Sequence, residues 1–238
     1  MRITLLFSVI PFLLLSQEKK EYPFDGNFDL GFNYYQNVKT TLTFINTGSI
    51  RYKVGEYEIK LTNNMTLLST VGEEEMVNNG EQTIKWNLKT KNLGVFISSA
   101  HLYNIQQSIK RRFTNKVGTS FWYIDKEKYN FNTGAAFCNV DETSLENIQI
   151  NKNRLSGTLN YTTKIGKRIE ITSKNDYRPN IEKFGDFEFE SSVNITLKVS
   201  KYWDITMNNT FKYTSYPITG IPETYYQVIN KISYKFYW

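Results

Sequence analysis

The 238-residue chain is 40% hydrophobic, 22% charged and 16% aromatic, with a formal net charge of +6. That apolar and aromatic content excludes a disordered chain, and the length suits one substantial domain. One Cys and one His exclude a Cys/His zinc site, an iron–sulfur site and an internal disulfide framework.

Met1 and Arg2 precede an apolar run from Ile3 to Leu15, broken only by Ser8 and Pro11, and Ser16-Gln17-Glu18-Lys19-Lys20 then turns polar. A basic start, an apolar stretch of about 13 residues and a small exit residue read as a secretory signal over residues 1–17. The stretch is short of the ~20 apolar residues of a spanning helix; a retained N-terminal anchor is the alternative. No Cys follows it, so a lipoprotein is not expected. Residues 18–238 are the expected mature domain. They hold no second long apolar run, so an exported chain of this kind is a soluble β-domain or a closed membrane barrel.

From Asn27 onward the period is two. Phe28, Leu30, Phe32 and Tyr34 share one face. Leu42, Phe44, Ile50, Tyr52 and Val54 follow, and after Gly55-Glu56 come Tyr57, Ile59, Leu61, Met65 and Leu67. Ile84, Trp86 and Leu88 precede Leu93, Val95, Ile97 and Tyr103, then Phe113, Val117, Phe121 and Tyr123, then Tyr129, Phe131, Ala135 and Phe137. Leu155, Leu159, Tyr161 and Ile165 lead through Gly166-Lys167 to Ile169, Ile171 and Tyr177. Phe187, Phe189, Val193, Ile195, Leu197 and Val199 form the longest run, before Ile205, Met207, Phe211 and Tyr213, and finally Tyr226, Val228, Ile232, Tyr234, Phe236 and Trp238. Residues two apart share a strand face, so the chain reads as all-β with about 12 strands.

A soluble sandwich would turn the apolar face inward; an outer-membrane barrel turns it to lipid. Three features favour the barrel. Several strands alternate for ten or more residues, the length a tilted strand needs to cross hydrocarbon. Aromatics sit at strand ends around aliphatic centres such as Val193-Ile195-Leu197, as interfacial girdles do. Connections alternate: Gly55-Glu56, Lys89–Asn92, Asp125–Lys128, Gly166-Lys167 and Ser200-Lys201 are short, whereas 69–80, 140–153 and 179–185 are longer and polar. The expected fold is a transmembrane up-and-down antiparallel β-barrel in a bacterial outer membrane, reached after export through the inner membrane.

The polar faces then line a lumen. Lys110, Arg112, Lys116, Arg168, Glu170, Lys174, Asp186, Glu188, Glu190 and Lys198 are the lumen-lining candidates, and they mix both signs. Two readings follow. Paired side chains fill the lumen and stabilise the fold, or a charged ring sets the selectivity of a narrow ion or solute channel. A basic excess around Lys110, Arg112, Lys116 and Lys164 would tilt that channel weakly towards anions.

Ser99 and His101 share the outward face of one strand. A lipid hydrolase would need a Ser–His contact with a third group orienting the base. Residues at i and i+2 are ~6.5–7 Å apart, and no orienting Asn or Asp is evident. An interfacial histidine is the plainer reading, and no catalytic residue is assigned. Cys138 follows inward parity and reads as a buried inert thiol. Glu73-Glu74-Glu75 reads as a solvated outer loop, with surface binding of divalent cations as the alternative. Asn64, Asn160, Asn194 and Asn208 match a glycosylation pattern but lie in strands. No cofactor or metal site is expected. Outer-membrane lipid is the expected partner; nucleic acid is not, since the basic residues are spread over alternating faces without stacking aromatics.

Ile232, Tyr234, Phe236 and Trp238, at every second position, resemble the C-terminal signal of bacterial outer-membrane proteins, which implies recognition by the barrel-assembly machinery. The mature chain is also similar to the YdiY-like salt-induced outer-membrane proteins. That resemblance lies in Lys110-Arg111-Arg112-Phe113 leading to Gly118, in Asn153-Arg154-Leu155-Ser156-Gly157, and in Asn175-Asp176-Tyr177-Arg178-Pro179. It extends to Tyr213-Thr214-Ser215-Tyr216-Pro217 and to Lys231-Ile232-Ser233-Tyr234-Lys235-Phe236. The family implies an outer-membrane barrel without an assigned activity.

Overall fold

Alternating apolar and polar side chains suit a pleated ladder with one face in oil and one in water, and the chain forms twelve antiparallel strands. In the computed structural model, residues 23–36, 40–70, 76–217 and 223–237 are described. The strands are β1 (Phe24–Gln36), β2 (Thr40–Val54), β3 (Tyr57–Thr70), β4 (Met76–Thr90), β5 (Leu93–Asn104) and β6 (Ile109–Asp125). They continue as β7 (Tyr129–Ser144), β8 (Gln149–Ile165), β9 (Ile169–Pro179), β10 (Phe187–Lys198), β11 (Trp203–Thr214) and β12 (Thr224–Tyr237). Each pairs with its chain neighbours, and β1 closes on β12 from Asp25↔Tyr237 to Gly31↔Lys231. Closure leaves no edge strand. At that seam the Phe236 ring lies over Gly26, where a Cβ would collide with it.

The two faces are inverted relative to a soluble protein. Leu30, Ile97, Val117, Leu197 and Ile232 are exposed, whereas Thr47, Ser49, Arg154, Ser156, Asp176 and Ser233 are buried. Ile195 and Leu197 face out, while the neighbouring Glu188 and Glu190 point to the axis and form ion pairs there. Only a lipid solvent makes this arrangement favourable, so the barrel is a transmembrane one.

One end carries the short turns. Gly55 and Gly166 have φ of 57° and 63°, the left-handed conformation that tight hairpins require. The other end carries the longer links, including 180–186, which leaves the ladder as its sequence predicts. The expected loops at 69–80 and 140–153 are mostly strand: β4 starts at Met76, β7 runs to Ser144 and β8 starts at Gln149. Beyond the apolar belt the outward face of β7 and β8 is polar as well, from Asn139 to Thr143 and from Gln149 to Asn153. Asn139 hydrogen-bonds Asn151 and Asn153 on the outside while Glu142 is buried inside. Alternation vanishes there although the backbone ladder continues.

The signal segment 1–17, Glu73-Glu74-Glu75 and Trp238 lie outside the described residues. Ile232, Tyr234 and Phe236 stand on the outward face of β12, in register with the outward Ile205 of β11 and with Phe28 and Gly26 of β1.

Ile195→Lys is expected to cost about 2–4 kcal/mol of stability, because a cation would sit against hydrocarbon. Thr196→Lys, one residue away and facing the lumen, is expected to cost far less. Urea unfolding of vesicle-embedded protein measures both; equal costs would refute the assigned faces.

Candidate functional site: the charged lumen

Inward residues fall into two zones. Towards the short-turn end the ion pairs Arg51–Asp25, Lys198–Glu170 and Lys235–Asp204 stand among neutral side chains that hydrogen-bond laterally: Asn160 donates to Asn132, Asn132 to Asn130, and the hydroxyls of Thr162 and Thr172, and of Thr196 and Thr206, meet across strands. Towards the other end, β6–β11 carry a dense ionic network. Lys116 Nζ lies 3.0 Å from Asp176 Oδ2, which shares its carboxylate with Ser156 Oγ. Arg178 reaches Glu190 at 3.2 Å and Glu188 at 3.6 Å, and Glu190 also faces Lys212 at 3.7 Å. Arg112 pairs with Glu142.

At the mouth, Arg154 pins the 180–186 link. Its guanidinium is 2% exposed, donates to Asp186 Oδ1 at 2.8 Å and to the Arg178 and Asp186 carbonyls. Lys152 donates to the other Asp186 oxygen at 2.6 Å. The amides of Asn180 and Ile181 bond to the carbonyls of Asp186 and Asn153. Burial raises the Asp186 carboxyl, but the hydrogen bonds from Lys152 and Arg154 outweigh it and hold the group below the ordinary carboxylate value.

A cavity of about 380 Å³ lies between this network and the opposite wall. Arg112, Lys116, Lys174, Glu188 and Glu190 of the sequence candidates line it. Glu170 and Lys198 pair with each other at 2.8 Å on the inner wall, beyond the cavity. Asp186 belongs to the mouth. Two candidates stand off the wall. Lys110 sits at an irregularity in the β6–β7 register and donates to Asn147 in the β7–β8 turn, and Arg168 lies in the exposed β8–β9 turn. Sequence reasoning missed Arg154, which stood at the border of a segment read as loop, and missed the lumen-facing Lys85 and Lys231, each the one charged residue of its stretch of strand face.

On the outer face, His101 Nδ1 lies 3.0 Å from Gln82 Oε1, Gln82 donates to Asn63, and the imidazole stacks on Phe113 at 4.8 Å. An orienting group for His101 therefore exists in Gln82, but among the described residues no hydrogen bond joins Ser99 to His101. Cys138 is fully buried on the inward face, in register between Lys116 and Arg154.

A family model described as "Protein of unknown function, DUF481" matches residues 29–236. The chain belongs to that family. A search of curated proteins finds no match. Among solved structures, the NanC porin aligns with a TM-score of 0.55 at 8% identity, covering 89% of this chain and 99% of that one. The KdgM porin in complex with disordered oligogalacturonate aligns at 0.47 and 7% identity, covering 89% and 99%. The translocator domain of autotransporter NalP from Neisseria meningitidis aligns at 0.45 and 9%, covering 90% and 87%. The likeness to the NanC porin establishes the porin-like barrel architecture and carries no residue across.

Because the folded-state value of Asp186 lies below the unfolded value of about 3.9, the mouth contact is fully held above that pH and weakens as pH falls through the folded value. Amide protection at Asn180 and Ile181, corrected for intrinsic exchange, is expected to stay constant from pH 8 to 5 and to fall below about pH 4. Asp186→Asn should lower it throughout. Arg154→Met is expected to cost about 3–5 kcal/mol, since it leaves Asp186 buried beside one cation.

Proposed function

We propose that this protein is an outer-membrane channel for small solutes with a preference for anions. The observation that carries the reading is an imbalance among lumen-facing charges. Away from the strand ends, Lys60, Lys85, Lys174 and Lys231 have no carboxylate within salt-bridge distance among the described residues, whereas only Asp29 and Glu81 are carboxylates without a close cation. The paired network on β6–β11 contributes rigidity and nearly cancels its own field; the unpaired lysines leave the open part of the lumen positive. The porin-like architecture supports a permeability role. A purely structural barrel would not need cations left without partners around a cavity.

The residue 1–17 segment as an export signal, insertion by the barrel-assembly machinery, and the finer placement among YdiY-like salt-induced outer-membrane proteins complete the proposal, and they rest on the sequence features given above. The hydrolase reading built on Ser99 and His101 is not favoured, because the imidazole contacts run to Gln82 and Phe113.

In a planar bilayer under a KCl gradient, the reversal potential is expected to lie on the chloride side. The double variant Lys60→Glu with Lys231→Glu should lower the chloride-over-potassium preference by about severalfold. Current that is unselective, or unmoved by the double variant, contradicts the reading.

A further inference from the structure

The lysines of the lumen are not scattered. Following the hydrogen-bond direction from strand to strand, Arg51 on β2 is in register with Lys60 on β3, Lys60 with Lys85 on β4, Lys85 with Ser98 on β5, and Ser98 with Lys116 on β6. The same line continues through Cys138 to Arg154. All of these side chains share the inward face. Strands of a barrel tilt by ~35–45°, so a register line climbs the wall as a spiral. The result is a basic stripe from near the short-turn end to the mouth.

Its members differ in what surrounds them. Arg51 has Asp25 and Glu58, Lys116 has Asp176, and Arg154 has Asp186. In the middle of the stripe, Lys60 and Lys85 have no carboxylate within salt-bridge distance among the described residues. Lys60 and Lys85 are directly opposed, and like charges at directly opposed sheet positions repel. The ammonium of Lys85 rests 4.7 Å from the Phe96 ring centroid. From the far wall, five strands round the barrel, Lys174 of β9 faces the same cavity, and Lys85 is repelled by Lys174, Lys60 and Lys116 and attracted by Glu58. Hydroxyls of Ser98, Ser120, Thr158 and Ser192 line the cavity too, as do Glu81 and the carboxylates of Glu188 and Glu190, which Arg178 holds in ion pairs. The cavity of about 380 Å³ lies at the small end of the usual range for ligand sites, ~300–1,000 Å³.

We propose that Lys85 and Lys174, with Lys116 beside them, form a binding station for a small dianion, of the dicarboxylate or phosphate class. This deepens the channel reading and rests on it. Two ammonium groups with no carboxylate within salt-bridge distance among the described residues face one cavity from opposite walls, and a ligand with two negative charges relieves both at once. A monovalent anion relieves one, so chloride passes while a dianion dwells. Lys60 is the next rung of the stripe, which hands the ligand along the wall.

The test uses the purified full chain in a planar bilayer, with chloride current as the readout and succinate or inorganic phosphate as added probe. Saturable block by succinate alone assigns the dicarboxylate class, and block by phosphate alone the phosphate class; either supports the station. Lys85→Gln and Lys174→Gln should each raise the half-blocking concentration about tenfold or more, while Lys164→Gln, on the lumen wall but off the cavity, should not. Anion-preferring current with no block by either probe overturns the station and leaves the channel reading standing. If no current is seen in any salt, the channel reading falls and thermal unfolding in detergent decides the station. A rise in unfolding temperature with either probe, absent in Lys85→Gln, supports it; no rise in the unsubstituted protein overturns it.

Discussion

Hydrocarbon offers no partner to a backbone N–H or C=O, and the whole molecule is arranged around that constraint. A helix satisfies it locally; a sheet satisfies it only by closing. Here the closing pair is β1 with β12, and its register from Asp25↔Tyr237 to Gly31↔Lys231 completes the ring. Once the ring is closed, parity assigns every side chain to lipid or lumen. The +6 chain can then place its charges where water reaches them, and the outer wall can be built from Ile, Leu, Val and Phe. Polar groups that do face outwards, such as Asn63, Gln82 and His101, hydrogen-bond to one another.

Within the lumen the charges divide the labour. On β6–β11 opposite signs interlock, and the buried Arg154 ties the 180–186 link to the wall through Asp186. That half is rigid and close to neutral. The opposite half carries Lys60, Lys85 and Lys231 among Thr, Ser and Asn, with Arg51 paired to Asp25 and Glu58. Cys138, which has no volume to spare for a charge, separates Lys116 from Arg154 on the same register line.

Much of this was legible in the sequence, and the failures have physical causes. The period of two marked the strands and their faces, because lipid imposes a strict alternation wherever it touches the wall. It faded at Asn139–Asn153, where water bathes both faces, and a paired extension of β7 and β8 read as a loop. Glu142 was hidden with it, and Arg154 stood at its border. Lys110 obeyed inward parity but sits where the register slips, which a single strand cannot reveal. The Arg51–Lys60–Lys85–Lys116 stripe was invisible for a deeper reason: it exists only in the register between strands, and no window of one strand contains two of its members.

The assignment of faces is tested most directly by spin labels at adjacent positions of β10 in a Cys138→Ser background, in lipid vesicles. A label at residue 195 should be relaxed by oxygen, which partitions into hydrocarbon, and one at residue 196 by a water-soluble nickel chelate. Oxygen contact at 196 with nickel contact at 195, or neither at 195, would contradict the account.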